Sequence, residues 1–281
     1  MQWYTARFEE DGLHAAQILL TRGDLEDRRR YLNAKATILT LLKAGIVPII
    51  NENDTVSSEE IRYGDNDLLS AHVATLVEAD LLILISDVDR LLGTPEPLRI
   101  ITKITPELER LARGTTKVIS TGGMRTKLEA AKIVMASGIP MVLINGRGGY
   151  DLVEMIWAGE DRGTWFLPEK GSRLRGKQRW LAFTGKPAGM IQVDAGAKAA
   201  LLTQGRSLLA SGIHRVNGGF RSGDLISVRD ETGREFARGI VQYSSAELER
   251  IRGLKSDAIA ALLGRKAQEV IHRDSLVILR E

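Results

Sequence analysis

Ile46-Val47-Pro48-Ile49-Ile50, running directly into Asn51-Glu52-Asn53-Asp54, is the stretch that decides the fold. Five apolar residues in a row, four of them β-branched, form a strand that hides both faces, the kind found inside parallel sheets. Before it, Asp24 to Ala44 reads as a helix with an apolar stripe of Leu32, Ile38, Leu41 and Leu42, ended by Gly45. The same alternation recurs outward from this point. Met1 to Glu10 is helical, closed by Asp11-Gly12, and Ala15 to Leu20 is a strand. Asp67 to Glu78 is a helix and Leu81 to Ile85 a strand; Thr126 to Ser137 is a helix and Met141 to Ile144 a strand. Helices alternating with short apolar strands predict an α/β domain with a largely parallel sheet. Ligands bind such sheets beyond the carboxyl ends of the strands, here after Ile50, Ile85 and Ile144.

The texture changes near Lys170. Lys170, Arg173, Arg175, Lys177, Arg179 and Lys186 follow one another with no acid between, which reads as a basic linker, 170–186, leading into a first strand. Short β-like runs punctuated by glycine come next (190–193, 212–216, 225–228 and 236–241), with helical pieces near 196–204 and 256–263. The expected organisation is therefore an α/β domain over 1–169, the linker, and a small β-rich domain over 187–281.

Composition narrows the chemistry. The chain has 281 residues, 28 of them Gly, and no Cys, which excludes disulfides, thiolate metal sites and cysteine nucleophiles. His14, His72, His214 and His272 are scattered, which argues against a histidine metal cluster. No apolar run reaches membrane-span length and no leader pattern opens the chain, so the cytoplasm is the default location and no membrane partner is expected. From Lys170 onward there are 20 basic against 11 acidic residues, and before it 19 against 25. A basic second half suits a nucleic-acid partner, and it suits an ordinary basic surface as well.

Three segments carry candidate chemistry. Asn51 to Thr55 and Gly64 to Asp67 group short carboxylates and carboxamides that suit an ammonium group, an amino acid or Mg²⁺; the same residues also make polar turns and a helix cap. Ser86-Asp87 follows a strand, where it suits a nucleotide or an Asx turn. Thr121-Gly122-Gly123-Met124-Arg125-Thr126-Lys127 opens a helix, where exposed backbone N–H groups and the Lys127 ammonium suit phosphate, and where a flexible loop capped by Thr126 is the alternative. Two other patterns are set aside. Gly171 to Gln178 has Gln178 where a P-loop needs Ser or Thr, and His272-Arg273-Asp274 has Leu279 where a protein kinase needs Asn.

Taken together, these segments resemble the glutamate 5-kinases, a branch of the amino-acid kinases. The resemblance runs through Asp27 to Ala34, Val47 to Asp54, Gly64 to Ala71 and Thr121 to Ala130, and continues in Gly196 to Leu202, Ser207 to Leu209, Tyr243 to Ser245 and Val270 to Asp274. It implies a three-layer amino-acid-kinase α/β domain followed by a PUA domain, a small β-barrel. It further implies that Asp54 and Asn66 hold L-glutamate with Asp67 supporting their loop, and that Ser86, Asp87 and the Thr121, Gly122, Gly123, Met124, Arg125, Thr126 and Lys127 loop contact ATP. Lys127 is then the catalytic charge on the phosphoryl group in transit from Mg-ATP, giving an acyl phosphate at the first step of proline synthesis. Feedback inhibition by proline at a site overlapping the glutamate loop, a homo-oligomer built through the kinase half, and RNA as a partner of the PUA half are further implications, with no metal site built from protein groups.

Two departures accompany the resemblance. The family's opening strand, with its Lys and Gly-Thr/Ser turn, and its Ser-Ser-Gly-Ala-type turn are not found; Met1 aligns inside a helix that follows both, as in an N-terminally truncated member. After Asp87, Arg90 to Pro97 replaces the family's usual nucleotide loop with a different, shorter one.

Overall fold

A computed structural model describes residues 1–56, 66–87, 98–113, 123–148, 163–169 and 176–279. It divides into two compact units, 1–175 and 176–281. The loop at Arg90 to Pro97 lies outside the described residues.

In the first unit, α1 (Gln2–Glu10) ends at Asp11, and Gly12 takes the left-handed backbone (φ 70°) that turns the chain into β1 (His14–Leu20). The helix expected from Asp24 to Ala44 is two helices, α2 (Arg22–Glu26) and α3 (Arg28–Lys43). Local capping chemistry explains the break. Thr21 and Asp24 form a reciprocal capping box that starts a helix early, and Asp27 then caps a second one by accepting from the Arg30 N–H. Tyr31 and Ile38, two turns apart, are the buried residues of α3, while Leu32, about 100° around the helix from Tyr31, and Leu42 are each 48% exposed. The stripe therefore lies one residue away from the expected Leu32 line. β2 (Ile46–Glu52) pairs with β1 in parallel over its full length, His14 against Ile46 to Leu20 against Glu52. Ile46 to Ile50 are half-buried rather than fully buried as expected, and Glu52 is the buried residue of the strand.

α4 (Asn66–Val77) leads to β3 (Leu82–Ser86), β4 (Ile100–Ile101), α5 (Pro106–Arg113), α6 (Met124–Ala136), β5 (Met141–Asn145) and β6 (Thr164–Phe166). β3, β5, β6 and β4 form a four-stranded sheet in that order. β3 with β5 and β6 with β4 are parallel, but β5 and β6 are antiparallel, so this sheet is mixed and separate from the β1–β2 pair. The α4 and α6 helices pack on it through Ala71, Ala74, Leu128, Ala131 and Val134, against Leu84, Met141, Leu143 and Phe166. Small residues on both helices bring their axes close together.

The second unit opens with α7 (Gly176–Arg179), continued as a π-helical turn through Thr184. Over the described part of 170–186 this corrects the expectation of a linker leading into a strand: Lys177 and Arg179 lie on helix, and Arg179, Trp180 and Leu181 turn inward. β7 (Gly189–Val193), α8 (Ala195–Gln204), β8 (Ile213–Asn217), β9 (Leu225–Arg229), β10 (Glu235–Ile240), α9 (Ser245–Ile251), α10 (Ser256–Leu263) and β11 (Leu276–Ile278) complete it. The strands form one sheet in the order β11-β10-β9-β7-β8, with only the β7–β9 pair parallel. A β-barrel was expected; among the described residues the pairing runs from β8 to β11 without closing. Ile191, Val193, Ile226, Val228, Phe236, Leu248 and Tyr243 fill one core. Tyr243 is buried with its hydroxyl satisfied, donating to Gln268 O at 3.1 Å and accepting from Gln268 N at 2.8 Å. His272 Nδ1 accepts from the Asp274 N–H, so the His-Arg-Asp stretch is a turn. Among the described residues no helix is long and apolar enough to cross a membrane.

Candidate functional site

Two helices begin side by side in the first unit, and their first turns make the site. α6 starts after Gly123, whose extended backbone (φ −96°, ψ −178°) is the N-cap without a side-chain cap, so Thr126 is not the cap that the sequence suggested. Thr126 lies one turn in. Its hydroxyl oxygen is 2.8 Å from Gly123 O and 3.1 Å from Asp67 Oδ2, both acceptors, so its single proton serves one at a time. The next residue, Lys127, reaches across to α4 and donates from Nζ to Asp67 Oδ2 at 2.9 Å. Asp67 is the second residue of α4, and its own carbonyl accepts from the Ser70 hydroxyl.

Lys127 and Asp67 are nearly enclosed, with side chains 10% and 13% exposed. The structure buries the stem of Lys127 and leaves its ammonium on a carboxylate. Burying a charge requires such a partner, because an isolated ammonium loses its hydration with nothing in return. The pair joins residues 60 apart in sequence and fixes the Lys127 ammonium at the start of two helices, whose dipoles both present their positive ends. An ammonium held there beside first-turn N–H groups is suited to phosphate oxygens.

The rest of the Gly123 to Lys127 segment does not converge on this point. Met124 is buried in the core of the α4–α6 layer. Arg125 points to solvent and pairs with Glu129 at 3.1 Å, an ordinary i,i+4 contact. Thr121 and Gly122 lie outside the described residues, as do Gly64 and Asp65. Asn66 begins α4 and is exposed. Asp54 is exposed in the turn after β2, where Asn53 N donates to Leu20 O and Val56 N to Asn53 O. Neither side chain makes a hydrogen bond among the described residues. Ser86 and Asp87 stand at the carboxyl end of β3, the Ser86 hydroxyl 3.3 Å from Asp87 Oδ1 and exposed.

One buried group near the site escaped the sequence reading. His72, on α4, is 8% exposed, and burial, with the Arg22 charge adding to it, pushes its imidazole down to about 4. It is therefore neutral at physiological pH. Its signal was present in the i, i+3 spacing of Leu69, His72 and Thr75 along the buried face of α4. Among the described residues no three His, Asp or Glu side chains gather as a metal site.

Comparison with known proteins adds to this geometry. The amino acid kinase family model matches residues 1–145, and the PUA domain model matches residues 189–263. A glutamate 5-kinase of Moorella thermoacetica is 46% identical over 288 aligned residues, covering 99% of this chain and 75% of that protein. Those of Citrifermentans bemidjiense and Geobacter sulfurreducens are 49% and 47% identical, each over 99% of this chain and 76% of theirs. The chain thus spans about three quarters of the length of the relatives that it matches.

Proposed function

Since the chain belongs to the glutamate 5-kinases of the amino acid kinase family, we propose that it transfers the γ-phosphoryl group of ATP to the side-chain carboxylate of L-glutamate, the first step of proline synthesis. The observation that carries this reading is the enclosed Lys127–Asp67 pair at the paired starts of α4 and α6.

The chemistry follows from the charges. A carboxylate attacking a phosphoryl group brings two anions together, and the leaving ADP gains charge as the bond breaks. Such transfers depend on positioning and charge stabilisation rather than on a covalent protein intermediate. Lys127 supplies the positive charge. Asp67 keeps its ammonium in one place, and Thr126 supports Asp67. A preorganised ammonium need not be reoriented as the transition state forms, and that is the source of its effect. Asp54 and Asn66, at the end of β2 and at the start of α4, hold the glutamate; Ser86 and Asp87, at the end of β3, contact the nucleotide, as do Thr121, Gly122, Gly123, Thr126 and Lys127, whereas Met124 in the core and Arg125 on Glu129 do not. Mg²⁺ supplies charge neutralisation on the phosphates. It usually keeps several waters and binds through substrate phosphates, so we assign it to ATP rather than to a cage of side chains.

Proline inhibition at the Asp54–Asn66 loop, assembly of copies through the kinase half, and a cytoplasmic location belong to the same reading. The basic balance of the second half supports a separate RNA contact, which a steep fall of RNA affinity with salt would reveal.

The test is ATP consumption that depends on glutamate, with hydroxylamine added to capture the acyl phosphate as a hydroxamate. Hydroxamate that forms only with both substrates supports the reading. ATP hydrolysis indifferent to glutamate overturns it.

A further inference from the structure

Arg147 takes no part in the chemistry above, yet it stands where that chemistry needs charge. β3 and β5 are parallel and in register from Leu82 against Met141 to Ser86 against Asn145. The turns Ser86-Asp87 and Asn145-Gly146-Arg147 therefore leave the sheet side by side, at the edge where parallel sheets bind ligands. The second turn is pressed onto the first. A Cβ on Gly146 would lie 2.6 Å from Ile85 Cγ2, so any larger residue would have to push the Ile85 side chain aside. Asn145 Oδ1 accepts from the Arg147 N–H at 2.8 Å and fixes the start of the short 3₁₀ turn Gly146–Gly148 that carries the arginine.

Three properties meet at this edge. Ile85 is 55% exposed although it sits in a strand whose neighbours are buried or half-buried. Ser86 and Asp87 offer a hydroxyl and a carboxylate whose only mutual contact is a long one. Arg147 is exposed, and among the described residues its guanidinium has no acceptor, whereas Arg7, Arg22, Arg30, Arg110 and Arg125 each pair with a nearby carboxylate. An apolar face, acceptors for hydroxyl groups and a free forked cation together match the base, ribose and phosphates of a nucleotide.

We propose that Arg147 is a second cationic contact of the nucleotide, donating to phosphate oxygens of ATP from the end of β5 while Lys127 acts from the start of α6. This rests on Ser86 and Asp87 being nucleotide contacts, as read above. A guanidinium suits the role because its planar fork meets two phosphate oxygens at once and stays charged at any working pH.

Titration calorimetry of the whole chain with adenosine, MgADP and MgATP tests it, comparing wild type, Arg147→Ala and Arg147→Lys. Arg147→Ala is expected to weaken MgADP and MgATP binding by about tenfold to a hundredfold, the range for a hydrogen bond to a charged group. Adenosine affinity stays unchanged, and Arg147→Lys recovers part of the loss. Far-ultraviolet circular dichroism and an unchanged melting temperature show that the exposed substitution leaves the fold intact. Equal MgATP affinity in wild type and Arg147→Ala overturns the proposal while leaving the nucleotide reading in place. So does an equal loss for adenosine. A wild-type chain that binds none of the three overturns the nucleotide reading and the arginine contact with it.

Discussion

Each unit of this chain holds a lysine–aspartate pair of nearly the same length, and the two stand in different surroundings. In the first, Lys127 meets Asp67 at 2.9 Å; in the second, Lys198 meets Asp230 at 2.7 Å. Asp230 is saturated. It accepts from Lys198, from the Thr232 N–H and hydroxyl, and from the Arg234 N–H, closing the turn between β9 and β10. Lys198 also lies 5.4 Å from the centre of the Phe236 ring, with a third of its side chain exposed. Lys127, by contrast, comes from the first turn of a helix opened by glycine, is nearly enclosed, and stands beside the Met124 and Arg125 N–H groups, which have no partner among the described residues. A carboxylate saturated by its own turn fixes a fold. A carboxylate that holds an ammonium beside open donors fits the role proposed above, in which the charge meets a ligand.

The largest expected effect separates the two pairs. Lys127→Ala lowers kcat for glutamate-dependent ATP turnover by about 10²–10³-fold, the usual consequence of removing one preorganised charge from a transition state. Lys198→Ala leaves kcat unchanged and lowers the melting temperature. Steady-state kinetics on the two variants, with thermal unfolding alongside, shows whether the distinction holds.

Asp67 and Thr126 sharpen it. Asp67→Asn keeps the shape but frees the ammonium, so kcat falls roughly 10²-fold while the glutamate KM changes less, as misplacement of a reacting group predicts. Thr126→Val removes a hydroxyl whose one proton is divided between Gly123 O and the Asp67 carboxylate, and a loss of about two- to tenfold follows. If Asp67→Asn raises KM alone, Asp67 binds substrate rather than positioning Lys127.

Acid distinguishes the units a third way. His72 in the first unit is held down to about 4 against an ordinary 6.5. Between these values the unfolded chain takes a proton that the folded chain refuses, so stability falls as pH drops from 6.5 towards 4, by up to about 3 kcal/mol from this group. The Asp230 carboxyl, bonded to Lys198 and Thr232, is held well below its ordinary 3.8. Its contribution is complete above that value and is lost only as pH falls beneath it. Hydrogen exchange followed from pH 7 to 3 should therefore show α4 opening first and the β9–β10 turn last. His72→Gln flattens the first transition and leaves the second. Opening of both units together at pH 6 would contradict this order.

Much of this was legible in the sequence where a signal is local. Five apolar residues before Asn51 gave β2, and the helix expected from Thr126 is present but begins two residues earlier, at Met124 after the Gly123 cap. Other local signals went unread: Ser244 and Glu247 form the capping box that starts α9, and Thr105 accepts from the Leu108 N–H ahead of Pro106 at the start of α5. The strands Ile100–Ile101 and Thr164–Phe166 are too short to show any periodicity, so the mixed character of the sheet was not legible. A run of cations hid the helical segment from Gly176 to Thr184 because charge spacing alone does not separate a linker from a helix. Lys127 was identified as a candidate, but its burial was not, since the residue that buries it lies 60 positions away. Distance in sequence is what local patterns cannot report.

The most direct test of the central claim is hydroxamate formation from glutamate and MgATP by wild type, Lys127→Ala and Lys198→Ala under identical conditions. Product from wild type and Lys198→Ala, with Lys127→Ala reduced by at least about two orders of magnitude, is the predicted result. Full turnover in Lys127→Ala would contradict it and remove the Lys127–Asp67 pair from the chemistry.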